Sequence, residues 1–168
     1  MVQISRVIRI EYPSLEQSSL AQPRTVREVA LKFAMQYGSK IFFTPGCERS
    51  MSRSTYADLQ AFSKVLQVLV EGFHPMYASH TKSLKEVEEM LASIPSSYAG
   101  GMSDVTKGKF EQHYFRLYEG QRVDISRHIK LGRNHDQRYT LRLYFHWDVD
   151  AAKIVVHHAG EHLPTLSS

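Results

Sequence analysis

Residues 139–148 (YTLRLYFHWD) alternate in side-chain character along their whole length. A period of two residues predicts a β-strand with one face on a core and the other face away from it. The face predicted to cover a core carries Tyr139, Leu141, Leu143, Phe145 and Trp147. The opposite, polar face carries Thr140, Arg142, Tyr144, His146 and Asp148. We therefore expect this strand to lie inside a sheet.

Three neighbouring stretches, 110–118, 122–130 and 153–158, also have strand character and are separated by short turns. Together with 139–147 they predict a meander of four strands. In 122–130, Val123, Ile125 and Ile129 share a face, which leaves a polar set on the other: Arg122, Asp124, Ser126, His128 and Lys130. If these two strands pair through the loop 131–138, Arg142 lies opposite His128.

The N-terminal part of the chain predicts one strand at 2–12 and then mainly helices. A first helix begins at the capping box Thr25-x-x-Glu28, and Gly38 is its expected end. A short buried strand at 41–43 is stopped by Pro45-Gly46, before a polar loop at 46–53. A second helix begins at residue 54 or 55 and reaches Phe73; 72–81 is predicted as loop. The third helix begins at Ser83-x-x-Glu86 and ends at Pro95.

These elements predict an α+β fold in one domain, residues 1–168, with helices on one side of a mostly antiparallel sheet. Within it, 1–95 would form a strand plus a helical layer and 109–168 the sheet. The glycine- and serine-rich stretch 96–108 between them is predicted to be a mobile loop.

Composition limits the function classes only loosely. The 168 residues are 42% hydrophobic and 23% charged, which is typical of a globular domain. A net charge of +4 modestly favours a polyanionic partner. The sequence has no apolar run long enough for a membrane span, and Cys47 is its single cysteine, so no intrachain disulfide can form. We expect a cytoplasmic protein without a membrane partner.

Histidines are concentrated in the predicted sheet. Seven of the nine lie in the last third of the chain: His113, His128, His135, His146, His157, His158 and His162. Imidazole exchanges protons near neutral pH, and guanidinium binds phosphate well. A polar sheet face that carries both groups suits the backbone of RNA or DNA.

Cleavage of RNA without a metal requires a base for the 2′-hydroxyl proton, an acid for the leaving oxygen, and a cation for the developing charge. His162 and His128 are candidates for base and acid, since Gly160 allows the chain to turn His162 towards the polar face. Arg142 or Lys130 would supply the cation. His146 and Tyr144 share that face and complete the catalytic candidates, Tyr144 by stacking on a base or ribose.

Further basic residues would bind the nucleic acid along this face: Lys130, Arg133, Arg138 and Lys153. We expect neither a metal nor another cofactor. Adjacent histidines on a strand point to opposite faces, so one of His157 and His158 should point away, and the sequence leaves open which one.

Three short motifs close the chain: Arg142-Leu-Tyr-Phe-x-Trp-Asp, then Lys153-Ile-Val-Val, then His157-x-x-Gly-x-His162-Leu163. Over about the last 45 residues they resemble the C-terminal strands of the RelE/ParE toxin superfamily, and most of all its YafQ and HigB branches. The segment Arg127-His128-Ile129-Lys130 is similar to the one that precedes those strands in the same branches.

The resemblance implies a small endoribonuclease that cuts mRNA in the ribosomal A site and is neutralised by an antitoxin. It implies His162 as the main acid/base, His128 as its assistant and Arg142 as the phosphate ligand. Three predicted elements go beyond the usual toxin pattern: the helix at 81–94, the strand near Ile41 and the Gly-rich loop. An enzyme that acts in the ribosomal A site must fit a narrow space, so this extra bulk counts against ribosome-bound mRNA as the substrate. The alternatives are a nucleic-acid-binding protein that does not cut, and an adaptor that acts through a protein partner.

Overall fold

The structure is a computed structural model, and it describes residues 22–132 and 136–166. The strand predicted at 2–12 lies outside the described residues. The helices and strands that follow confirm an α+β fold.

Two of the predicted helices begin at their capping residues. Helix α1 spans Val26–Tyr37, and the Thr25 side chain accepts a hydrogen bond from the Glu28 backbone N–H. Helix α5 spans Leu84–Ala92 and has a complete capping box between Ser83 and Glu86. These short polar contacts satisfy N–H groups that a helix leaves unpaired, which is why the sequence signals were reliable.

The second predicted helix is displaced at both ends. Helix α3, Leu59–Val68, begins after Asp58, whose carboxylate accepts a hydrogen bond from the Ala61 N–H at 2.9 Å. It continues through a π-helical segment, Leu69–Phe73, into α4, His74–Ala78. The loop predicted at 72–81 is therefore wrong up to Ala78. Pro75 is tolerated because it occupies the first turn of α4.

The loop predicted at 46–53 is also wrong, because Pro45–Ser52 forms helix α2. Proline at the first position favours a helix start, and the Thr44 hydroxyl caps it by accepting from the Cys47 N–H at 3.2 Å. Cys47 is fully buried in this helix.

The strands of the central sheet, within the described residues, are β1 (Ile41–Phe43), β2 (Ser96–Ala99), β5 (His128–Leu131), β6 (Leu141–Asp148) and β7 (Lys153–Gly160). These five strands have the order β1-β7-β6-β5-β2, and of these pairings only β1 with β7 is parallel. Strand β1 ends where α2 begins, and α2 continues along the same edge of β7. There Ser50 Oγ accepts a hydrogen bond from the Ala159 N–H at 3.0 Å, in place of a strand partner.

One face of this sheet carries the main core, as the alternation predicts. Leu141, Leu143 and Phe145 of β6 are fully buried in one cluster with side chains from α1, α3 and α5. Trp147 packs against the same cluster, whereas Tyr139 precedes the strand and is 54% exposed. Its assignment to the core was therefore wrong.

The segment between β2 and β5 differs most from the prediction. It contains α6 (Asp104–Lys109), α7 (Glu111–Tyr114), and a separate two-stranded sheet of β3 (Phe115–Tyr118) and β4 (Gln121–Asp124). The stretch predicted as a mobile loop thus begins with an edge strand and ends in a helix.

This segment covers part of the second face of the central sheet. A small buried cluster forms there from Tyr114, Ile125, Tyr144 and Leu163. Not all helices therefore lie on one side, because α7 contributes Tyr114 to this second cluster. In the described parts of the chain, no helix has the length and apolar character needed to cross a bilayer.

Candidate functional site

The register of β5 on β6 places the candidate residues differently from the predicted pairing. His128 lies opposite Tyr144, and Lys130 lies opposite Arg142. The prediction that Arg142 faces His128 was wrong by two residues. Because a shift of two keeps the same face of a strand, all four side chains still belong to the predicted polar face.

A bulge in β7 changes the orientation of its histidines. Tyr144 pairs with His158 while Phe145 pairs with Val156, so His157 is an extra residue in the ladder. The His157 ring contacts His146 and the His158 ring contacts Tyr144. Both histidines therefore turn to the polar face, and the prediction that one points away was wrong because simple alternation does not hold across a bulge.

Four of the predicted residues form what we call the basic cluster: His128, Lys130, Arg142 and His162. The His128 and His162 rings are 6.3 Å apart between centroids and nearly perpendicular. The electrostatic influence of Arg142 and Lys130 reaches both rings. The turn after Gly160 thus brings the His162 ring next to His128, on the polar face.

Burial and positive charge both act on the two imidazoles of the basic cluster. Burial lowers the pKa of His162, and the positive charges of Arg142 and Lys130 lower it further. Burial also lowers the pKa of His128, an effect that a hydrogen bond to the Ser126 carbonyl opposes. In the neutral ring, His128 Nδ1 donates this bond at 3.0 Å, which leaves the lone pair on Nε2.

Arg142 is 9% exposed, and its Nη1 is buried without a hydrogen-bond partner in the described residues. Burial lowers the pKa of its guanidinium, which nevertheless stays charged at neutral pH. A buried cationic N–H without an acceptor is costly, and an anion could remove that cost only where a side-chain movement gave it access to Nη1.

Tyr144 has a role different from the predicted one. Its side chain has no exposed surface, so it cannot stack on a base of bound RNA. Its hydroxyl accepts a hydrogen bond from the Leu163 N–H at 3.2 Å, and the Tyr114 hydroxyl donates one to the Pro164 carbonyl at 2.9 Å. Together the two tyrosines hold the segment that carries His162 against the sheet.

His146 lies apart from the basic cluster. It forms a buried pair with His157, with 2.8 Å between His146 Nδ1 and His157 Nε2, and Tyr118 packs against both rings. Burial lowers the pKa of each ring in the pair. Of the two nitrogens that face each other, one must donate and the other must accept. The hydrogen bond therefore persists when one of the two imidazoles is protonated, but not when both are.

Of the remaining basic candidates, Lys153 lies far from the basic cluster and Arg138 is ion-paired. Lys153 lies opposite Asp148 in the strand register, at the other end of the β6–β7 ladder and about 20 Å along the strand from Arg142. Arg138 forms an exposed ion pair with Asp136. Arg133 lies outside the described residues.

A cavity of about 510 Å³ opens beside His162. It is also lined by His158 and by two residues that sequence reasoning set aside, His113 and Arg53. Arg53 was assigned to a loop, but it directly follows α2, and this helix brings it next to β7. The helix-start signal Thr44-Pro45 was the clue that could have placed it.

Among the described residues, no group of three or more His, Cys, Asp or Glu side chains has the arrangement of a metal site. Comparisons of the chain with family models, with curated proteins and with solved structures found no match.

Proposed function

We propose that the chain is a metal-independent endoribonuclease of the toxin type, with His162 as its acid/base. The observation that carries the proposal is the basic cluster: two imidazoles lie 6.3 Å apart, under the electrostatic influence of two cations, and Arg142 Nη1 has no acceptor within the described residues. Ribosome-bound mRNA as substrate, and an antitoxin or regulatory protein as partner, belong to the same proposal through the resemblance to RelE-like toxins.

In the proposed reaction an imidazole takes the proton of the ribose 2′-hydroxyl, and the 2′-oxygen attacks the adjacent phosphorus. The bond from phosphorus to the 5′-oxygen breaks, and that oxygen leaves with a proton from the second imidazole. Arg142 and Lys130 stabilise the negative charge that develops on phosphorus-bound oxygens. The products are a 2′,3′-cyclic phosphate and a 5′-hydroxyl.

His162 is exposed and can contact RNA directly. His128 is 7% exposed, so we assign it the second role, in which it stacks on Tyr144 at 4.8 Å behind His162. His158 is a further imidazole in the cavity, with Nε2 donating to the Glu161 carbonyl at 2.8 Å.

The test is cleavage of a labelled RNA by the purified protein in the presence of a chelator. We expect 2′,3′-cyclic phosphate ends, and no cut where the ribose lacks its 2′-hydroxyl. His162→Ala should lower the cleavage rate about 100-fold or more while RNA binding, measured by fluorescence anisotropy, is retained. The control is His80→Asn, which should cleave normally. His80 is exposed and is distant in sequence from the residues of the basic cluster.

The pH dependence of cleavage should follow from the lowered pKa values of His162 and His128. One imidazole must be neutral and the other protonated, so kcat/KM should be highest below pH 6.5 and fall as the pH rises towards 8. Bound phosphate favours protonated imidazole, so the kcat profile should lie at higher pH than the kcat/KM profile. A kcat/KM maximum above pH 7.5 would contradict these assignments.

A nucleic-acid-binding protein that does not cut is the second candidate. The burial of His128 favours it, because a buried imidazole has little access to a ribose hydroxyl. RNA binding that weakens in Arg142→Met, without cleavage in the presence or absence of ribosomes, would establish this function instead. Absence of both binding and cleavage would favour an adaptor.

A further inference from the structure

The cavity beside His162 is built from four separate parts of the chain. Arg53 and Thr55 follow helix α2, His113 belongs to α7, Gln137 and Thr140 precede β6, and the fourth part lies within 158–164, at the end of β7 and in the turn after it. Its volume of about 510 Å³ is in the range of pockets that hold small ligands. A cavity of this size has room for a nucleotide.

The lining of the cavity is more basic than acidic. Among the described residues that line it, Glu161 is the only carboxylate, against Arg53 and three imidazoles. Within the described residues, Arg53 is exposed and its side chain forms no ion pair or hydrogen bond. Arg53 and His158 both line the cavity, and a guanidinium that has no carboxylate partner there suits a phosphate.

The cavity and the basic cluster are neighbours. His162 lines the cavity, and its ring is also part of the basic cluster. Gly160 lines the cavity too, and it lies opposite Arg142 in the sheet. A Cβ at Gly160 would lie 3.4 Å from His158 Nε2, so Gly160 and His158 are in close contact in this wall of the cavity.

We propose that the cavity is a subsite for the nucleotide next to the cleaved bond, and that Arg53 binds a second phosphate carried by that nucleotide. This inference rests on the proposed ribonuclease function, because His162 joins the two sites. It adds an expectation that cleavage alone does not give: a substrate that carries a phosphate beyond the one that is attacked should bind more tightly.

The experiment compares Arg53→Ala with Arg49→Ala on three substrates. Arg49 is an exposed arginine of helix α2, which Arg53 follows, and it does not line the cavity, so its removal is a matched change of charge. The substrates are a dinucleotide with only the internal phosphate, and the same dinucleotide with an added 5′- or 3′-phosphate. Steady-state cleavage gives kcat and KM for each combination.

We expect Arg53→Ala to raise KM about tenfold on one of the two substrates with an added phosphate. The dinucleotide without that phosphate should show no change, because Arg53 then has no ligand to lose. Arg49→Ala should match the unaltered protein on all three substrates. The substrate that responds also tells on which side of the cleaved bond the cavity lies.

Two outcomes would overturn the subsite, and they differ from a failure of the ribonuclease proposal. If the unaltered protein cleaves but Arg53→Ala has the same KM on every substrate, the subsite is refuted and the cleavage site stands. If no substrate is cleaved, equilibrium dialysis with a nucleoside 3′,5′-bisphosphate decides. Binding that is lost in Arg53→Ala but kept in Arg49→Ala supports the subsite, and equal or undetectable binding refutes it.

Discussion

Replacing Arg142 with methionine is expected to stabilise the fold and to remove most of the RNA cleavage. Arg142 is 9% exposed, and its buried Nη1 has no acceptor among the described residues. Leaving a buried donor unsatisfied costs about 1–3 kcal/mol, and methionine keeps much of the apolar stem without the charge. The free energy of unfolding, measured with urea at pH 7, should therefore rise by about 1–3 kcal/mol.

The same substitution removes the guanidinium that we assign to the phosphate. Loss of one charge-stabilising donor in a site of this kind lowers the rate about 10²–10³-fold. Arg138→Met is the matched control, since Arg138 is exposed and paired with Asp136. Its free energy of unfolding should change by less than about 1 kcal/mol, as expected for a surface ion pair.

Two results would contradict this account of Arg142. A loss of stability in Arg142→Met would mean that the guanidinium supports the fold. Unchanged cleavage would mean that it does not hold the phosphate. The expected combination, higher stability with lower activity, is typical of a residue retained for function.

The strand β6 shows how far the sequence alone leads. Its strict alternation correctly predicted which face meets the main core. Successive side chains of a strand point to opposite faces, so apolar side chains at every second position identify the face that is buried. The pairing of Arg142 with His128 was wrong, since the register depends on the course of the connecting turn and not on the alternation.

The orientation of His157 and His158 depends on contacts distant in sequence. The bulge lies where the neighbour of β7 changes from β1 to α2: the Thr44 N–H donates to the Val156 carbonyl, and the Ala159 N–H donates to Ser50 Oγ. No pattern within residues 153–160 records this change of partner. Both histidines consequently reach the polar face for a reason that lies outside their own strand.

The cover over the second face was not predicted for a similar reason. Strands β3 and β4 alternate like members of the central sheet, yet they pair only with each other around a turn at Glu119 and Gly120, both with positive φ. Local sequence does not tell which sheet a strand joins. The cavity, which uses His113 from this cover, could therefore not be found from the sequence.

The buried histidines should make the protein lose stability between pH 6.5 and pH 5. Burial lowers the pKa of His128, His146, His157 and His158, so in this range the unfolded chain takes up protons that the folded chain does not. The free energy of unfolding then falls as the pH falls, by about 1.4 kcal/mol per pH unit for each histidine that stays neutral. Paired carboxylates such as Asp124 have lowered pKa values and lose their contribution only at lower pH.

His157→Gln isolates one of these contributions. Glutamine can keep a hydrogen bond to His146 but does not titrate, so the loss of stability between pH 6.5 and pH 5 should be smaller by about 2 kcal/mol than in the unaltered protein. Urea unfolding at the two pH values measures this difference. His80→Asn removes an exposed histidine and should leave the pH dependence as it is. If His157→Gln and the unaltered protein lose the same amount of stability between pH 6.5 and pH 5, this prediction is wrong. That result would mean that His157 is protonated in the folded protein as readily as in the unfolded chain.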